Sequence, residues 1–353
     1  MKISQMIRRE DFYRINAETL EKYYGKSASK ATTLCVYPHL NAIVRRNPSR
    51  AVKKYLYREY DVSGAFIYRL AVRLYAAAAL CTFGLLCAKR IKVFADVSKD
   101  TLIYPCNKKY RIFDFEKNEV TAICKEGFDK STIRREISFR KENAALPFMN
   151  PVKSETDFSY KEPIIDGYPL ARLHDEEKKA HFKENAISLW REQFGIFDKK
   201  EAVADYAREL SEKVQKLTEM CIDSGRNVDV RLISSLESSV MSGSGTGKEV
   251  TVCLSHGDMQ EGNIWIENKT DKIYIIDYET TDMRSRQYDE AVLYGGIRSD
   301  EGLLGYADSE ELGNIVLLED VIYRLTELLR LPENCTADDF NAFLKKAERI
   351  FVK

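Results

Sequence analysis

The sequence SHGDMQEGN (residues 255–263) is followed by IIDYE (residues 275–279), so that Asp277 lies fourteen residues after Asn263. These two stretches place a carboxylate (Asp258), an amide (Asn263) and a second carboxylate (Asp277) in the order that phosphoryl transfer uses. In that chemistry one Asp orients or deprotonates the attacking hydroxyl, while an Asn and a second Asp hold the Mg²⁺ that neutralises the triphosphate. The spacing therefore predicts Asp258 and Asn263 as catalytic residues, and Asn263 and Asp277 as metal ligands.

The residues around these three side chains predict the local fold. Residues 249–254 alternate apolar and polar side chains, which is typical of a strand that leads into a loop. Residues 264–266 and 273–276 predict two further strands joined by a polar turn. A hairpin of this kind would bring Asn263 and Asp277, one at each open end, close enough to share a metal ion.

Three neighbouring residues have other predicted roles. We expect His256 to be structural, forming a hydrogen bond to the backbone near the metal-binding Asp. Asp289 is expected to hold the catalytic loop rather than to touch substrate. Glu279 has two open interpretations, since it would either line the metal site or cap a nearby turn.

These motifs also carry a family resemblance. HGDMQEGNIW (residues 256–265) and IIDYETTDMRSRQYDEA (residues 275–291) resemble the aminoglycoside phosphotransferase and choline kinase family. The choline and ethanolamine kinase branch is nearest, with its H-x-D-L-Q-x-G-N loop and its I-D-[FW]-E segment followed by an Arg and an aromatic-Asp pair. Those last positions fall on Arg286, Tyr288 and Asp289. The motifs serve the nucleotide, the metal and the transferred phosphoryl group, so they do not identify the acceptor.

The resemblance implies an α+β, two-lobed, protein-kinase-like fold. Such a fold has a small antiparallel β lobe and a larger helical lobe. On this basis residues 1–100 form an N-terminal helical extension, residues 101–170 the small ATP-binding lobe and hinge, and residues 171–353 the large catalytic and acceptor-binding lobe. The resemblance covers the chain in outline from about residue 101 to about residue 330.

The small lobe is supported by three strand-like runs at residues 101–104, 110–115 and 120–125. Lys125 ends the third run, where such kinases keep the lysine that contacts the nucleotide phosphates. A helical stretch that follows carries Glu136, and the resemblance implies an ion pair between Lys125 and Glu136. The alternative, a solvated Lys and a surface Glu, stays open because both residue types are common on exposed faces.

One departure from the family concerns the segment before Lys125. Where related kinases often have glycines over the phosphates, this chain has PCNKK at residues 105–109. Close backbone approach to a phosphate is easier with glycine. Either the lysines of this segment assist, or the nucleotide is covered more loosely.

The segment YKEPIIDGYPL (residues 160–170) resembles the strand and hinge of the family. In such lobes the hinge backbone offers an N–H and a C=O to the adenine edge, which implies that Glu162 and Ile164 bind the cofactor. The alternative is that the Asp-Gly pair within this segment simply forms a turn.

Composition limits the remaining classes. A chain of 353 residues can hold two lobes and an extra module. Lys and Arg number 55, as do Asp and Glu, so the net charge is zero and a dedicated nucleic-acid role is disfavoured. The eight cysteines form no C-x-x-C pair and only four histidines are present, which favours reduced thiols over disulfides or a zinc site. We expect a cytoplasmic protein without a cleavable signal peptide.

The apolar segment at residues 65–92 has two interpretations. Its uninterrupted part, residues 74–88, is short for a spanning helix, which needs about 20 residues. It is either a buried helix or an interfacial anchor, with arginines at one end and the basic cluster KRIK (residues 89–92) at the other. The second interpretation predicts peripheral contact with the inner face of the membrane.

These observations predict an ATP- and Mg²⁺-dependent kinase that phosphorylates a hydroxyl of an amino alcohol or a sugar. One form of this prediction places the enzyme in cell-surface glycan metabolism. A pseudokinase or nucleotide-binding scaffold is the first alternative, and the missing glycine loop supports it. An aminoglycoside-type antibiotic phosphotransferase is the second, and it would need an acidic cleft for its polycationic substrate. The sequence identifies neither the acceptor nor the oligomeric state.

Overall fold

The computed structural model describes residues 10–25, 31–59, 66–106, 108–243, 248–310, 312–331 and 336–351. The chain divides into two compact units. The first comprises Met1–Asp175 and Trp265–Tyr274, and the second comprises Glu176–Ile264 and Ile275–Lys353.

The first unit is built on an eight-stranded sheet of order β3-β1-β2-β4-β5-β6-β8-β7, in which each pair of neighbouring strands is antiparallel. The strands are β1 (Thr32–Tyr37), β2 (Ala42–Arg45), β3 (Lys89–Val93), β4 (Thr101–Pro105), β5 (Lys109–Asp114), β6 (Glu119–Cys124), β7 (Lys153–Thr156) and β8 (Ser159–Pro163). Strands β4, β5 and β6 confirm the three predicted runs.

Four helices accompany this sheet: α1 (Glu10–Tyr24), α2 (Arg50–Glu59), α3 (Phe66–Cys81) and α4 (Ser131–Glu142). Because side chains alternate along a strand, each strand contributes apolar residues to both faces. One face packs Ile43, Ile103 and Ile112 with Leu20 of α1. The opposite face packs Val44 and Phe113 with residues of α2 and α3. The sheet therefore carries two apolar layers.

The described part of the first hundred residues contains helices α1, α2 and α3 and also strands β1, β2 and β3, which the sequence did not predict and which belong to the same sheet as β4 to β8. Strand β3 pairs with β1, although helices α2 and α3 lie between them in the chain. Within the described residues, no helix is both long and apolar enough to cross a bilayer.

A second, three-stranded sheet contains the predicted hairpin. Its order is β13-β12-β9, from β9 (Gly167–Pro169), β12 (Ile264–Glu267) and β13 (Ile273–Ile275). Gly167 is required where β9 meets β12, because a Cβ atom there would lie 2.2 Å from the carbonyl oxygen of Ile266. Strands β12 and β13 confirm the two strands predicted on either side of the polar turn.

The second unit is mainly helical, and it contains a small antiparallel sheet of order β10-β11-β14. Its strands are β10 (Lys199–Ala202), β11 (Glu249–Ser255) and β14 (Asp282–Ser285). Its helices are α5 (Glu176–Phe194), α6 (Val203–Asp223), α7 (Val230–Gly243), α8 (Arg286–Leu293), α9 (Asp300–Ser309), α10 (Gly313–Arg330) and α11 (Asp338–Phe351). A single apolar core joins α6, α7, α10 and α11 to β11. The α+β class is thus as predicted.

Candidate active site

The segment after β11 is held by one buried carboxylate. Asp289, on α8, accepts hydrogen bonds from the Ser255 hydroxyl (3.0 Å) and from the backbone N–H groups of His256 (2.8 Å) and Gly257 (3.0 Å). A carboxylate that accepts three such bonds fixes the backbone of the loop. The predicted role of Asp289 in holding the loop is confirmed by these contacts.

Gly257 makes the turn that sets the position of Asp258. Its φ is +79°, and a Cβ atom at this position would lie 2.4 Å from the carbonyl oxygen of Thr280. Only glycine adopts this conformation in so little space without strain.

His256 links this loop to the strand before Asp277. Its Nε2 lies 3.1 Å from the carbonyl oxygen of Ile276, and its Nδ1 lies 3.3 Å from the backbone nitrogen of Asp258. The ring is fully buried, and burial lowers its pKa, so the neutral imidazole donates from Nε2 and accepts at Nδ1. The backbone hydrogen bond predicted for His256 is confirmed.

The carboxylate of Asp258 is oriented from both sides. Its Oδ1 accepts from Arg298 Nε at 2.7 Å, and its Oδ2 accepts from Asn263 Nδ2 at 3.0 Å and Gln260 Nε2 at 3.1 Å. Asn263 Nδ2 also donates to the Asp258 backbone carbonyl at 2.8 Å. Two of the predicted site residues, Asp258 and Asn263, are therefore in direct contact.

The open end of the hairpin brings Asn263 next to the residue that precedes Asp277. The backbone N–H of Ile276 donates to the carbonyl oxygen of Asn263 at 2.9 Å. The amide nitrogen of Asn263 donates its hydrogen bonds to Asp258, so the amide oxygen Oδ1 points away from Asp258. Asp277 has φ 72° and ψ 59°, a left-handed conformation that Asp tolerates better than most residues. An amide oxygen and a carboxylate are suitable ligands for Mg²⁺.

Arg298 is a site residue that the sequence did not predict. It lies forty positions after Asp258 in a loop without a recognisable motif, and its only signal is spatial. Besides Asp258, its guanidinium contacts Asp320 (Nη1 to Oδ1, 3.0 Å), which is 1% exposed. The guanidinium is always charged, so it places a permanent positive charge beside Asp258.

The acidic partner of Arg298 belongs to a longer chain of ion pairs. Asp320 Oδ2 accepts from Arg324 Nε at 2.7 Å, and Arg324 Nη1 pairs with Asp300 at 2.9 Å. Asp300 in turn pairs with Lys346 at 2.8 Å. Positive and negative side chains alternate along this series of ion pairs. The series connects the Arg298 guanidinium beside Asp258 to α10 and α11.

Glu136, on α4, has a different lysine from the one predicted. Lys109 Nζ lies 2.8 Å from Glu136 Oε2, and the Tyr160 hydroxyl donates to Glu136 Oε1 at 2.8 Å. The predicted Lys125–Glu136 pairing is thus corrected to Lys109–Glu136. The Lys125 ammonium instead donates a hydrogen bond to the carbonyl oxygen of Cys106.

Glu162 is structural in this arrangement. Its carboxylate is buried and accepts from Arg111 (2.7 Å), Arg140 (2.6 Å) and Asn150 (3.1 Å). Burial alone would raise its pKa, but the two guanidiniums and the hydrogen bonds from Arg140 and Asn150 lower it to about 2. The carboxylate therefore ties β8 to β5 and α4, and any contact of Glu162 with a cofactor would have to come from its backbone.

Ile164 lines a shallow, solvent-open cavity in the first unit, whose empty space with open solvent included is about 270 Å³. The backbone N–H of Ile164 is bonded to Asn118 O at 3.1 Å. The lining is mostly apolar and aromatic, and consists of Tyr55, Arg111, Phe113, Val120, Pro163, Ile164, Ile165 and Trp265. Two of these residues bring buried N–H groups, Arg111 Nε and Trp265 Nε1, for which the described residues provide no acceptor. A ligand with acceptor atoms at its edge would satisfy them.

Lys125→Met tests the burial of Lys125 through the pH dependence of stability. Desolvation lowers the pKa of Lys125 from 10.5 to about 7. Between pH 7 and 10.5 the unfolded chain therefore binds a proton that the folded chain does not, and this residue makes the free energy of unfolding rise with pH. The Met variant lacks this contribution. The free energy of unfolding of the Met variant minus that of wild type should therefore be higher at pH 6 than at pH 10. The change should be a few kcal/mol, because each pH unit between the two pKa values contributes about 1.4 kcal/mol.

Urea unfolding of both proteins at pH 6, 8 and 10 measures this difference, since groups common to both cancel. A difference that stays constant across this range would contradict a buried, desolvated ammonium at Lys125.

The comparisons with known proteins give structural similarity without sequence similarity. No model of a known protein family matches the chain. No curated protein sequence matches it. Among solved structures, it is similar to an ethanolamine kinase from Plasmodium vivax, with 14% identity over 90% of this chain and 98% of that chain, and a TM-score of 0.43. It is also similar to APH(2″)-IIa in a ternary complex with streptomycin and ATP, with 15% identity over 72% and 93% and a TM-score of 0.46. A third is the choline kinase LicA from Streptococcus pneumoniae, with 14% identity over 73% and 91% and a TM-score of 0.40.

Proposed function

We propose that this protein is an ATP-dependent kinase that transfers the γ-phosphoryl group to a hydroxyl of a small molecule. The observation that carries the proposal is the hydrogen-bonded unit formed by Asp258, Asn263 and the strand end before Asp277. It supplies an oriented carboxylate, an amide oxygen and a second carboxylate, which is the set of groups that phosphoryl transfer needs.

Asp258 is the proposed base. Arg298, Asn263 and Gln260 hold its carboxylate in one orientation. As the acceptor oxygen forms its bond to phosphorus, its proton passes to Asp258 and the bond from phosphorus to the leaving diphosphate oxygen breaks. Because the transition state of phosphoryl transfer is loose, orienting the hydroxyl is as important as removing its proton.

Asn263 and Asp277 are the proposed metal ligands. The direction of the Asn263 amide supports this role, because its nitrogen is committed to Asp258 and its oxygen is the atom presented. Bound Mg²⁺ supplies neutralisation of the negative charge on the phosphates.

The cavity in the first unit is the proposed adenine site. Its walls include the aromatic rings of Tyr55, Phe113 and Trp265, which suit a flat heterocycle. The two N–H groups without acceptors, Arg111 Nε and Trp265 Nε1, suit the acceptor nitrogens at the edge of an adenine ring.

For the acceptor we favour a sugar over an amino alcohol, because of the charge beside Asp258. Arg298 would repel an ammonium group bound next to the base. Nearby aromatic faces are also occupied by guanidiniums, with Arg298 4.3 Å from the ring centre of Tyr323 and Arg284 4.9 Å from that of Tyr288. Such faces are what a choline-type cation would use. A role in cell-surface glycan metabolism stays a prediction.

ADP release from Mg²⁺-ATP tests the proposal, with choline, ethanolamine, simple sugars and aminoglycosides as acceptors. We expect turnover with a neutral polyol or sugar. Turnover with a cationic acceptor alone would contradict the acceptor class and leave the kinase assignment standing.

A pseudokinase is the second candidate, and the PCNKK segment in place of glycines is the observation that favours it. It predicts that Mg²⁺-ATP raises the melting temperature while no acceptor in the panel is phosphorylated.

We also propose contact with an anionic membrane surface through a patch formed by Leu74, Phe83, Leu85, Arg90 and Lys92 (the apolar–basic patch). Leu74, Phe83 and Leu85 are 63%, 55% and 74% exposed. Residues 66–95 contain five basic residues and no acidic one, in a chain of zero net charge. Exposed apolar side chains among basic ones suit the headgroup region of an anionic bilayer.

The turn that presents Phe83 and Leu85 is held by arginines. Arg46 Nε donates to the carbonyl oxygen of Phe83 at 2.7 Å, and Arg90 Nη2 donates to that of Gly84 at 3.3 Å. Phe83 has φ 52°, which is unusual for a bulky residue. The backbone is therefore fixed in a conformation that directs apolar side chains outward.

The double variant Phe83→Asn, Leu85→Ser should lose binding to vesicles that contain phosphatidylserine by about tenfold or more, because it removes most of the apolar contact. Co-sedimentation of the full chain with these vesicles and with phosphatidylcholine vesicles measures it. Ile196→Ser is the matched control, since Ile196 is 85% exposed and belongs to the second unit, outside the apolar–basic patch. Wild-type protein that fails to bind the anionic vesicles, or binds both kinds equally, would overturn the membrane contact.

A further inference from the structure

The pairing of β5 with β6 shows which lysine lies on the same face of the sheet as the proposed nucleotide cavity. In this register Lys109 is opposite Cys124, Arg111 is opposite Ala122, and Phe113 is opposite Val120. Directly opposed residues of an antiparallel pair have their side chains on the same face. Arg111, Phe113 and Val120 line the cavity, so Lys109 and Cys124 belong to the cavity face of the sheet.

Lys125 belongs to the opposite face. It follows Cys124 by one residue, and a step of one residue along a strand moves the side chain to the other side of the sheet. Its Nζ lies 5.0 Å from the ring centre of Tyr110, which packs in the layer with α1 rather than on the cavity face. The side chain is completely buried there and donates to the carbonyl oxygen of Cys106.

Lys109 is oriented on the cavity face by Glu136. The ion pair of 2.8 Å joins two side chains that are 9% and 1% exposed, so it is little weakened by solvent. The Tyr160 hydroxyl (2.8 Å) and Arg140 Nη1 (3.6 Å) hold Glu136 Oε1 from the other side. A lysine ammonium has three N–H donors, so it can contact a carboxylate and a phosphate oxygen together.

We propose that Lys109, held by Glu136, binds the phosphates of the nucleotide in place of Lys125. This assignment rests on the proposed function. The Lys109 ammonium extends from β5, whereas the resemblance implies a lysine on the neighbouring strand. The residue directly opposite Lys109 is Cys124, which has no ammonium group to place beside a phosphate. Lys109 is also the last residue of the PCNKK segment, so this segment contributes a cation to the phosphates where related kinases have glycine N–H groups.

The protonation of Lys125 is consistent with this division of roles. Burial lowers its pKa to about 7, so near neutral pH the charge that a phosphate ligand requires is less well retained on Lys125 than on an exposed lysine.

Isothermal titration of the full chain with ATP, ADP and adenosine tests the assignment. We expect Lys109→Met to weaken ATP binding by about tenfold to a hundredfold, the effect of one charge-assisted hydrogen bond. Adenosine, which has no phosphate, should change by less than about twofold. Lys109→Arg should recover part of the ATP affinity, and Lys125→Met should keep the wild-type ratio of ATP to adenosine affinity.

Selective loss of ATP binding in Lys125→Met with none in Lys109→Met would overturn the assignment, as would equal loss of ATP and adenosine in a folded Lys109→Met. If circular dichroism shows that Lys109→Met does not fold, Glu136→Gln is measured in its place. The same selective loss of ATP binding is expected, and an unchanged ATP affinity would overturn the assignment. Wild-type protein that binds neither nucleotide nor adenosine would instead refute the proposed function, and with it this subsite.

Discussion

Asp258→Asn is expected to lower kcat for phosphoryl transfer by about 10²–10⁴-fold while leaving ATP affinity unchanged. The amide keeps the shape of the side chain, and its oxygen can still accept from Arg298, but it cannot take the proton of the acceptor hydroxyl. We therefore expect the free energy of unfolding to change by no more than about 1–2 kcal/mol, the scale of one charge-assisted hydrogen bond. Steady-state kinetics with Mg²⁺-ATP, together with urea unfolding, measures both quantities.

Gln260→Ala is the matched control for that variant. It removes the 3.1 Å contact to Asp258 Oδ2 but leaves the carboxylate, Arg298 and Asn263 in place. We expect a loss in kcat of less than about tenfold, since one of several orienting hydrogen bonds is removed. Equal losses in the two variants would show that orientation alone, and not proton acceptance by Asp258, accounts for the effect.

Asp289→Ala is expected to have the largest effect on stability, at about 3–5 kcal/mol. It would leave two buried donors, the Ser255 hydroxyl and the His256 N–H, without the acceptor they have in Asp289. It would also remove one of the two acceptors of the Gly257 N–H, which donates to Ser255 Oγ as well. The loop that carries Asp258 would lose its fixed conformation, so activity should fall with stability. Urea unfolding at pH 7 measures the change.

The adjacent variant Glu290→Ala is the control for Asp289→Ala. Glu290 lies on the same helix, but its side chain is 37% exposed and it pairs with the half-exposed Arg191. Pairs of this kind contribute about 0–1 kcal/mol. A loss below about 1 kcal/mol in Asp289→Ala, equal to that of the control, would contradict the role of Asp289 in the loop.

The parts of the site that depend on short sequence distances could be predicted. The hairpin with Asn263 at its open end and the backbone bond of His256 both lie within residues 255–277. Turn residues and side-chain alternation determine such local structure, so spacing alone indicates it.

The parts that depend on tertiary packing could not be predicted. Arg298 reaches Asp258 from a loop that has no motif, and its contact with the buried Asp320 of α10 is a tertiary one. The resemblance implies Lys125 because the third strand-like run ends there, but spacing does not show which face of the sheet that side chain is on. The register of β5 with β6, which places Lys109 opposite Cys124, is tertiary information. The pairing of β3 with β1 spans two helices, and no local pattern indicates it.

The measurement that tests the central claim most directly is transfer of labelled γ-phosphate from ATP to a sugar acceptor, for wild type and Asp258→Asn side by side. The proposal predicts a labelled phosphomonoester with wild type and Mg²⁺, and at least about a hundredfold less with the variant. Equal transfer by the two proteins would contradict the assignment of Asp258 and the function built on it.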